Sequence, residues 1–530
     1  MQRWNGWGDD AITMDLPEEG VELLKTVVGP GFPQRDTSLE ELLKPIPKTR
    51  LPRHPLITTD SQERLIHAHG QSLPDWIALR YGRPMRVPDG IAYPENKEDL
   101  RDLVTFASKH KIALIPYGGG TSVLGHLEVP QWKRPVVTVS LARLNRMVYI
   151  DSGSLLATFE SGIRGPDLEA HLRSQGFTLG HYPQSFEYST LGGWVATRAS
   201  GQLSSHYGRI DEAFAGAELL TPRGPLVLPP YPASAAGPDL RQLVLGSEGR
   251  LGIIAEATVK ISPLPEKDDI YGAFFPSWDQ AVEALRTLTA ARLPLSMVRL
   301  STVSETQTNL ALSGHPKIVA FLKRYLPLRG VAEEEGCLCL IGFIGSAGLV
   351  KAARRETVAI LKRAGAIPFG KAMGESWKHN RFLIPYLRNT LWEQGYAVDT
   401  IETAVTWNRV TEMVQTIEKI LTESLAPRNE KVHVFSHLSS IYPTGSNIYT
   451  TVLFRLGKTA EETWERWNTL KMSASSIIAE KGGTISHQHG VGVDHKPYIE
   501  AEKGRLGMDM IREMCASVDP DGLMNPTKLF

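Results

Sequence analysis

The segment that most constrains the fold is the triglycine turn Pro116–Ser122, which follows the apolar run Ile112–Ile115. This pattern predicts a strand followed by a turn whose backbone adopts angles closed to residues other than glycine. Backbone amides of the turn are left bare to bind an anion, and the hydroxyls of Thr121 and Ser122 add donors. The turn matches neither a Walker A loop nor the G-x-G-x-x-G dinucleotide fingerprint. Taken alone, such a turn is more often a structural hairpin than a ligand site.

Two further clusters of Gly, Ser and Thr lie downstream, each beside an apolar strand-like run. One spans His181–Trp194 and continues into Thr197–Gly201, and the other is Gly246–Ile254. Three separated clusters suit an elongated cofactor better than a mononucleotide, because each can offer amides and hydroxyls to a different part of the ligand. We therefore expect the three clusters to line one long site.

The composition describes a globular chain without a dominant charge. Its 530 residues have room for two or more domains, and 42% of them are hydrophobic. Lysine plus arginine and aspartate plus glutamate both number 58, so no net field favours nucleic acid as a partner. Three cysteines are too few for a disulfide framework. Since neither a signal peptide nor a membrane-spanning run of about 18 apolar residues is present, we expect a cytoplasmic enzyme.

Changes in pattern divide the chain. Residues 1–86 are rich in proline and broken into short pieces, which predicts an N-terminal extension packed on the rest. Strand and helix patterns alternate over residues 87–265, including a helix opened by Asn96 with apolar spacing through Ala107. Beyond Pro265 a β-α-β pattern begins, and Cys337 and Cys339 fall in an apolar run that predicts a buried strand rather than a metal site.

A second motif is Ser-His-Gln-His-Gly-Val-Gly at residues 486–492. On a strand, residues two apart share a face, so His487 and His489 are expected to converge while Gln488 points away. Two histidines without a third ligand are more often structural than metal-binding, and no carboxylate nearby in the sequence supplies that ligand. We predict no metal site.

Together these motifs resemble the flavoproteins of the vanillyl-alcohol-oxidase type, whose FAD domain is named after p-cresol methylhydroxylase, and among them the alkyldihydroxyacetonephosphate synthases. The resemblance runs from Arg3 to Pro520. It implies an α+β fold with a two-subdomain PCMH-type FAD-binding domain at 87–265, whose halves meet near residues 144–152. An α/β cap (substrate) domain with an antiparallel sheet is implied at 266–480, after an N-terminal extension at 1–86. A C-terminal segment at 481–530 is expected to close the active site.

The resemblance also implies FAD as the cofactor. Covalently flavinylated relatives carry a histidine at particular positions after the triglycine turn, and this chain has none at those positions. His126, a few residues later, is interpreted as a loop residue, so the FAD is expected to be held non-covalently. The residues implied to bind FAD are Pro116, Tyr117, Gly118, Gly119, Gly120, Thr121, Ser122, Gln184, Ser185, Phe186, Glu187, Tyr188, Ser189, Thr190, Gly193, Thr197, Arg198, Ala199, Ser200, Glu248, Gly249, Arg250, Leu251, Gly252, Ile253 and Ile254.

Three residues are implied to be catalytic. Tyr449 falls where the synthases place a proton-transferring tyrosine, and His487 and His489 match the outer two of their three consecutive histidines. A phenol with a pKa of about 10 works as a base only if a neighbouring cation or imidazole lowers that pKa. We expect His487 and His489 to do so.

Three further residues are implied to bind the substrate. Arg388 matches a phosphate-binding arginine of the family, and Arg299 matches another active-site position. A guanidinium can hold a phosphate through two parallel hydrogen bonds. Gln488 stands where the synthases have their middle histidine.

The implied reaction exchanges the acyl chain of acyl-dihydroxyacetone phosphate for a fatty alcohol through an adduct on flavin N5, without net oxidation. The alternative is an FAD-linked oxidoreductase acting on a 2-hydroxy acid or an alcohol. Metal-dependent enzymes of that class carry an H-x-G-D-G-N-x-H run, which here ends in Tyr449, and a G-E-H-G run, in which Gln488 replaces the carboxylate. A non-catalytic flavin protein is a third reading.

Lipid substrates imply peripheral membrane contact, and many relatives are homodimers.

Overall fold

The computed structural model describes residues 2–530. Its strands in chain order are β1 Ile57–Thr58, β2 Gly90–Ala92, β3 Ala113–Tyr117, β4 Val136–Ser140, β5 Met147–Asp151, β6 Leu156–Glu160, β7 Phe177–Thr178, β8 Phe214–Thr221, β9 Gly224–Leu228, β10 Ile253–Lys260, β11 Ser262–Pro263, β12 Lys267–Phe275, β13 Leu295–Ser301, β14 Cys337–Gly345, β15 Ile367–Gly370, β16 Tyr396–Thr406, β17 His433–Leu438, β18 Ile441–Tyr442 and β19 Gly445–Arg455.

The α-helices in chain order are α1 Glu18–Val27, α2 Leu39–Leu43, α3 Ser61–Ile66, α4 Leu73–Tyr81, α5 Lys97–His110, α6 Gly165–Ser174, α7 Leu191–Thr197, α8 Ser204–Tyr207, α9 Ile210–Ala213, α10 Arg241–Val244, α11 Trp278–Ala290, α12 Val303–Ala311, α13 Pro316–Tyr325, α14 Ala347–Arg363, α15 Ala372–Asn380, α16 Leu387–Glu393, α17 Val410–Ser424, α18 Ala460–Glu480 and α19 Ile499–Val518. Within residues 2–530, no helix is both long enough and apolar enough to cross a membrane.

Two small sheets form the first half of the fold. One has the order β1-β2-β4-β3, with β2, β4 and β3 parallel, and the other is antiparallel in the order β5-β6-β10-β8-β9. The chain crosses between them from Ser140 to Met147, beside the predicted junction. Strand β1 joins the first sheet from within residues 1–86, so part of the predicted extension is built into this sheet.

Helix α5 illustrates how local sequence builds the first half. The Asn96 side chain accepts a hydrogen bond from the Asp99 amide at 2.9 Å, which caps the helix. Leu100, Leu103 and Ala107 are buried on one face, as the predicted apolar spacing requires.

An antiparallel sheet of eight strands dominates the second half, and we call it the cap sheet. Its order is β15-β12-β14-β13-β17-β19-β16, with β18 paired to β19. Residues of β14 alternate: Cys337 and Cys339 face a core formed with α11, α14, α17 and α18, whereas Leu338 and Leu340 face the other core, which includes residues of the second small sheet. The cysteines are therefore buried strand residues, as the sequence predicts.

The C-terminal segment returns to the first sheet. After α19, the Leu114 amide donates to the Leu523 carbonyl at 2.9 Å and the Asn525 amide donates to the Leu114 carbonyl at 2.8 Å. The Asn525 side chain donates to the Glu248 carbonyl at 2.7 Å, which fixes the third glycine-rich loop. The C-terminal segment thus supports both the strand that leads into the triglycine turn and the third glycine-rich loop.

Candidate active site

The three glycine-rich loops meet in space. A Cβ added to Gly119 would lie 1.7 Å from the Tyr188 carbonyl oxygen, and one added to Gly118 would lie 2.4 Å from Thr190 Oγ1. One added to Gly249, whose φ is +78°, would lie 3.0 Å from Pro116. These contacts require bare backbone, so the loops approach one another as closely as main chains allow. The three clusters therefore lie against one another, and their binding of one long ligand stays a prediction.

The residues predicted to bind FAD lie along these loops and the elements that follow them. Gly193 and Thr197 lie on α7, whose cap is Thr190, and Ile253 and Ile254 begin β10. Gln184 is exposed, and its side chain donates to the Arg381 carbonyl. The other residues of the set are partly or fully buried: Tyr117, Gly120, Thr121, Ser122, Ser185, Phe186, Glu187, Ser189, Arg198, Ala199, Ser200, Glu248, Arg250, Leu251 and Gly252, with the loop residues named above.

Unsatisfied polar atoms beside these loops match the needs of a nucleotide cofactor. Both ring nitrogens of His181, Nε of Arg250 and Oδ1 of Asn525 are buried and have no hydrogen-bond partner among residues 2–530. Burial lowers the pKa of His181 to about 3, so its imidazole is neutral. Native proteins satisfy most buried polar atoms, so unsatisfied atoms beside these loops are consistent with a bound polar group. The residues present fit FAD.

Tyr449 lies at the centre of the predicted catalytic set. On the cap sheet it pairs with Glu402 of β16 on one side and with His437 of β17 on the other. Its ring stacks on His437, with centroids 5.0 Å apart, and meets His489 edge-on at 5.8 Å. Burial raises the pKa of Tyr449 to about 12, and Glu402 adds to the effect.

The expectation that His487 and His489 lower the pKa of Tyr449 is therefore wrong, because burial raises that pKa. Burial lowers the pKa of His437 and that of His489, so both imidazoles beside the phenol are neutral at pH 7. A neutral imidazole supplies no cation to favour a phenolate. His487 contacts a different tyrosine: its Nε2 lies 2.6 Å from the Tyr442 hydroxyl.

The predicted strand through His487 and His489 is also wrong, because this segment is a loop bent around a carboxylate. One oxygen of Glu402 accepts the backbone amides of Gln488 at 2.7 Å and His489 at 2.6 Å, and the Ser486 hydroxyl at 3.1 Å. The buried Glu402 carboxylate thus accepts backbone amides that, in a strand, would have donated to a neighbouring strand. Burial opposes ionisation of Glu402, yet the two histidines and the amides outweigh it and lower its pKa.

Both imidazoles nevertheless lie close to the same group, the Glu402 carboxylate. The bent loop, rather than the alternation of a strand, brings them there. Nδ1 of His487 lies 3.9 Å from one carboxylate oxygen of Glu402, and Nδ1 of His489 lies 3.5 Å from the other. Gln488 reaches this carboxylate through its backbone amide, and its side chain is partly exposed. The sequence analysis did not identify Glu402, because a single glutamate within a predicted strand belongs to no recognisable motif.

Arg299 is already paired within the protein. Its Nη2 donates to Glu305 Oε1 at 2.7 Å, and the same oxygen lies 2.8 Å from Nδ1 of His437. Burial opposes ionisation of Glu305, but Arg299 and His437 lower its pKa to about 2. Glu305 therefore neutralises Arg299 and holds the histidine that stacks on Tyr449. This carboxylate, too, has no signature in the sequence.

Arg388 is a buried cation with free donors. On α16, its guanidinium lies 4.2 Å from the centre of the Trp76 ring, and Nη1 donates to the Gln71 carbonyl. Nε and Nη2 are buried without a hydrogen-bond partner among residues 2–530, and burial lowers the pKa to about 10. Arg388 and Arg299 both lie close enough to Tyr449 to interact electrostatically with it. The structure thus brings Tyr449, His489 and the two arginines together. His487 lies farther from Tyr449, against Tyr442.

Among the described residues, no group of three or more His, Cys, Asp or Glu side chains is arranged to hold a metal ion. The arrangement offers instead a neutral phenol, neutral imidazoles beside an ionised carboxylate, and a guanidinium with two free donors. Such a set can bind an anion and accept a proton.

Comparisons with known proteins identify the family of this chain. Residues 88–228 match the family model of the FAD binding domain, and residues 264–529 match that of FAD linked oxidases, C-terminal domain. An alkyldihydroxyacetonephosphate synthase of Dictyostelium discoideum is 30% identical over 100% of this chain and 93% of its own length.

Solved structures place the fold in the same group. An alkyldihydroxyacetonephosphate synthase structure superposes with a TM-score of 0.85 at 28% identity, covering 99% of this chain and 98% of the other. Substrate-bound p-cresol methylhydroxylase gives a TM-score of 0.66 at 13% identity, covering 89% of this chain and 93% of the other, which supports the α+β, PCMH-type fold. The chain belongs to the FAD-dependent alkyldihydroxyacetonephosphate synthase family.

Proposed function

We propose that this protein exchanges the acyl chain of acyl-dihydroxyacetone phosphate for a fatty alcohol. The observation that carries the proposal is Arg388, whose two unpartnered, buried donors lie within electrostatic reach of Tyr449. A guanidinium left unsatisfied in the protein is suited to a phosphate, which accepts two parallel hydrogen bonds. The names of the relatives support the same substrate class.

When bound, FAD supplies the nucleophilic nitrogen N5 for the exchange, and the protein holds the substrate and moves its proton. Because burial raises the pKa of Tyr449 to about 12, the phenol is protonated at pH 7. It can take a substrate proton only by giving up its own at the same time. His489 is the acceptor we propose, since it is neutral and its Nδ1 lies 3.5 Å from Glu402. The ionised Glu402 would stabilise the resulting imidazolium.

The other assignments of residues are part of this proposal. We propose that Arg388 binds the phosphate, with Arg299 and Gln488 contacting the substrate, and that His487 acts with Tyr449 and His489. The loop residues predicted to bind FAD are proposed to hold it without a covalent bond. The domain limits 1–86, 87–265, 266–480 and 481–530 are proposed as the working division of the chain.

Assembly and location are also part of this proposal. We propose a homodimer because many relatives are dimers, and peripheral membrane contact because the substrates are lipids. Three free cysteines fit a reducing, cytoplasmic compartment.

Label exchange tests the proposed reaction. Purified holoprotein is incubated with acyl-dihydroxyacetone phosphate and radiolabelled free fatty acid, without alcohol. The proposal predicts that label enters the ester, because the acyl group leaves and returns as a carboxylate. Tyr449→Phe with matched FAD content is the control and should exchange far less. Absence of label in the ester, combined with dye reduction by a 2-hydroxy acid, would establish the oxidoreductase alternative instead.

A further inference from the structure

The proposed exchange leaves one proton behind for each ether formed. The ester bond of the substrate breaks and the acyl group leaves as a carboxylate, which is ionised at pH 7 because an ordinary carboxyl group has a pKa of about 4. The alcohol loses its O–H proton when its oxygen bonds to the same carbon. Neither the ether nor the carboxylate retains that proton, so groups of the protein must deliver it to water.

Two tyrosine–histidine pairs lie beside the two oxygens of Glu402. The first pair is Tyr449 with His489, whose Nδ1 lies 3.5 Å from Oε1 of the carboxylate. The second pair is Tyr442 with His487, whose Nδ1 lies 3.9 Å from Oε2 and whose Nε2 lies 2.6 Å from the phenol oxygen. The carboxylate thus connects Tyr449 with a second phenol that the proposed function does not use.

The gap between His487 and Glu402 holds two unsatisfied atoms. Nδ1 of His487 and Oε2 of Glu402 are both buried and have no hydrogen-bond partner among residues 2–530. Burial lowers the pKa of His487 to about 4, so its imidazole is neutral at pH 7 and carries one proton. With that proton on Nε2, Nδ1 and the carboxylate are two acceptors that face each other without bonding, which accounts for the gap. A proton arriving on Oε2 would turn the gap into a hydrogen bond.

Tyr442 is the member of the second pair that reaches solvent. It lies on β18, is partly exposed, and lines a surface cleft of about 290 Å³ together with the exposed Thr444. By contrast, His487 is 6% exposed and Glu402 is 1% exposed. A proton held on either of these two groups therefore needs Tyr442 to reach the cleft.

A cation lies beside the same phenol. Burial opposes ionisation of Arg209, but Tyr442 and Asp211 outweigh it and raise the pKa of this guanidinium. Nε of Arg209 donates to Asp211 Oδ1 at 3.1 Å. The guanidinium stabilises negative charge that develops on the Tyr442 oxygen while the phenol gives its proton to water.

We propose that Glu402, His487 and Tyr442 form a relay that carries protons from the active site to water. The proton on His489 passes to Glu402, and the carboxyl group rotates and gives it to Nδ1 of His487. His487 then releases the proton on Nε2 to the Tyr442 oxygen, and the phenol gives its own proton to water in the cleft. Once His487 has regained its first tautomer, every group has its initial charge and one proton has left, without oxidation or reduction. The relay rests on the proposed function, and in it Tyr442 acts through His487 rather than on the substrate.

Two assays of the same holoprotein test the relay. Exchange of labelled fatty acid into the ester returns the proton in every cycle, whereas ether formation from labelled hexadecanol must export one. Tyr442→Phe removes only the hydroxyl, and Tyr442→Ala leaves room beside His487 for imidazole added to the buffer. Thr444→Val is the matched control, because it alters the same cleft and leaves the Tyr442 hydroxyl in place.

We expect Tyr442→Phe to exchange fatty acid at the wild-type rate but to form ether at least about tenfold more slowly, since a group that transfers a proton is missing only where export is required. Imidazole should restore ether formation in Tyr442→Ala, because a diffusible base then takes the place of the phenol. Thr444→Val should match wild type in both assays. Circular dichroism and FAD content confirm that each variant is folded.

Equal losses of exchange and ether formation in Tyr442→Phe would overturn the proposal, since the hydroxyl would then serve the fold or a step that both reactions share. Wild-type ether formation in Tyr442→Phe, or no effect of imidazole on Tyr442→Ala, would overturn it as well. Absence of ether formation by the wild-type protein would instead refute the proposed function, and the relay with it.

Discussion

Replacing Arg388 removes two hydrogen-bond donors that the protein itself leaves free. Nε and Nη2 are buried and unpartnered, and the guanidinium lies 4.2 Å from the centre of the Trp76 ring. Truncating one member of a buried, hydrogen-bonded charge pair costs about 2–5 kcal/mol. Arg388→Ala should therefore lower kcat/KM for the phosphorylated ester by roughly 30- to 5,000-fold. Arg388→Lys keeps the charge but loses the paired geometry, so its loss should be smaller.

The assay compares acyl-dihydroxyacetone phosphate with the same ester lacking phosphate, at equal FAD content. The account predicts that the loss is confined to the phosphorylated ester. Arg354→Ala is the matched control, because this exposed arginine also lies over an aromatic ring, 4.3 Å from the centre of Tyr271, but on α14. Equal losses with both esters in Arg388→Ala would refute the assignment to phosphate.

Four other predictions concern the cofactor and the residues around Tyr449. Tyr449→Phe should lower label exchange by about 10²–10⁴ with FAD content unchanged, and a near-normal rate would contradict its role in proton transfer. Acid or heat should release intact FAD, whereas flavin retained on the denatured polypeptide would contradict non-covalent binding. The folded-state pKa of Glu402 is lowered, so its ionised form stabilises the protein above the unfolded value of about 4.5, and this contribution is lost as pH falls through the folded value. Glu402→Gln should lower the Tm at pH 7 and differ less from wild type in acid; a gap independent of pH would contradict this. Gln488→Ala should impair exchange less than His487→Ala, since Gln488 reaches Glu402 only through its backbone, and the reverse ranking would contradict this reasoning.

Local features of the chain could be predicted because their causes are local. Asn96 caps α5 through an amide three residues away, and the alternation of β14 buries Cys337 and Cys339 on one face. The triglycine turn predicts close backbone approach, and Gly119 faces the Tyr188 carbonyl. In each case, a few consecutive residues determine the conformation.

The remaining features depend on residues far apart in the chain. Alternation predicts a strand at His487 and His489, but Glu402, more than 80 residues earlier, captures the amides of this segment and bends it. The sequence also predicts that His487 and His489 lower the pKa of Tyr449, whereas burial by the surrounding fold raises that pKa and lowers the pKa of His489. Neither the isolated glutamate nor the degree of desolvation is encoded in a local pattern.

Product analysis in a single reaction tests the central claim most directly. Holoprotein is mixed with acyl-dihydroxyacetone phosphate, labelled hexadecanol and an electron-accepting dye, and the ether, the released fatty acid and the reduced dye are quantified together. The account predicts one fatty acid released for each alkyl ether formed, with no dye reduced. Dye reduction without ether would contradict it and would assign the protein to oxidation instead.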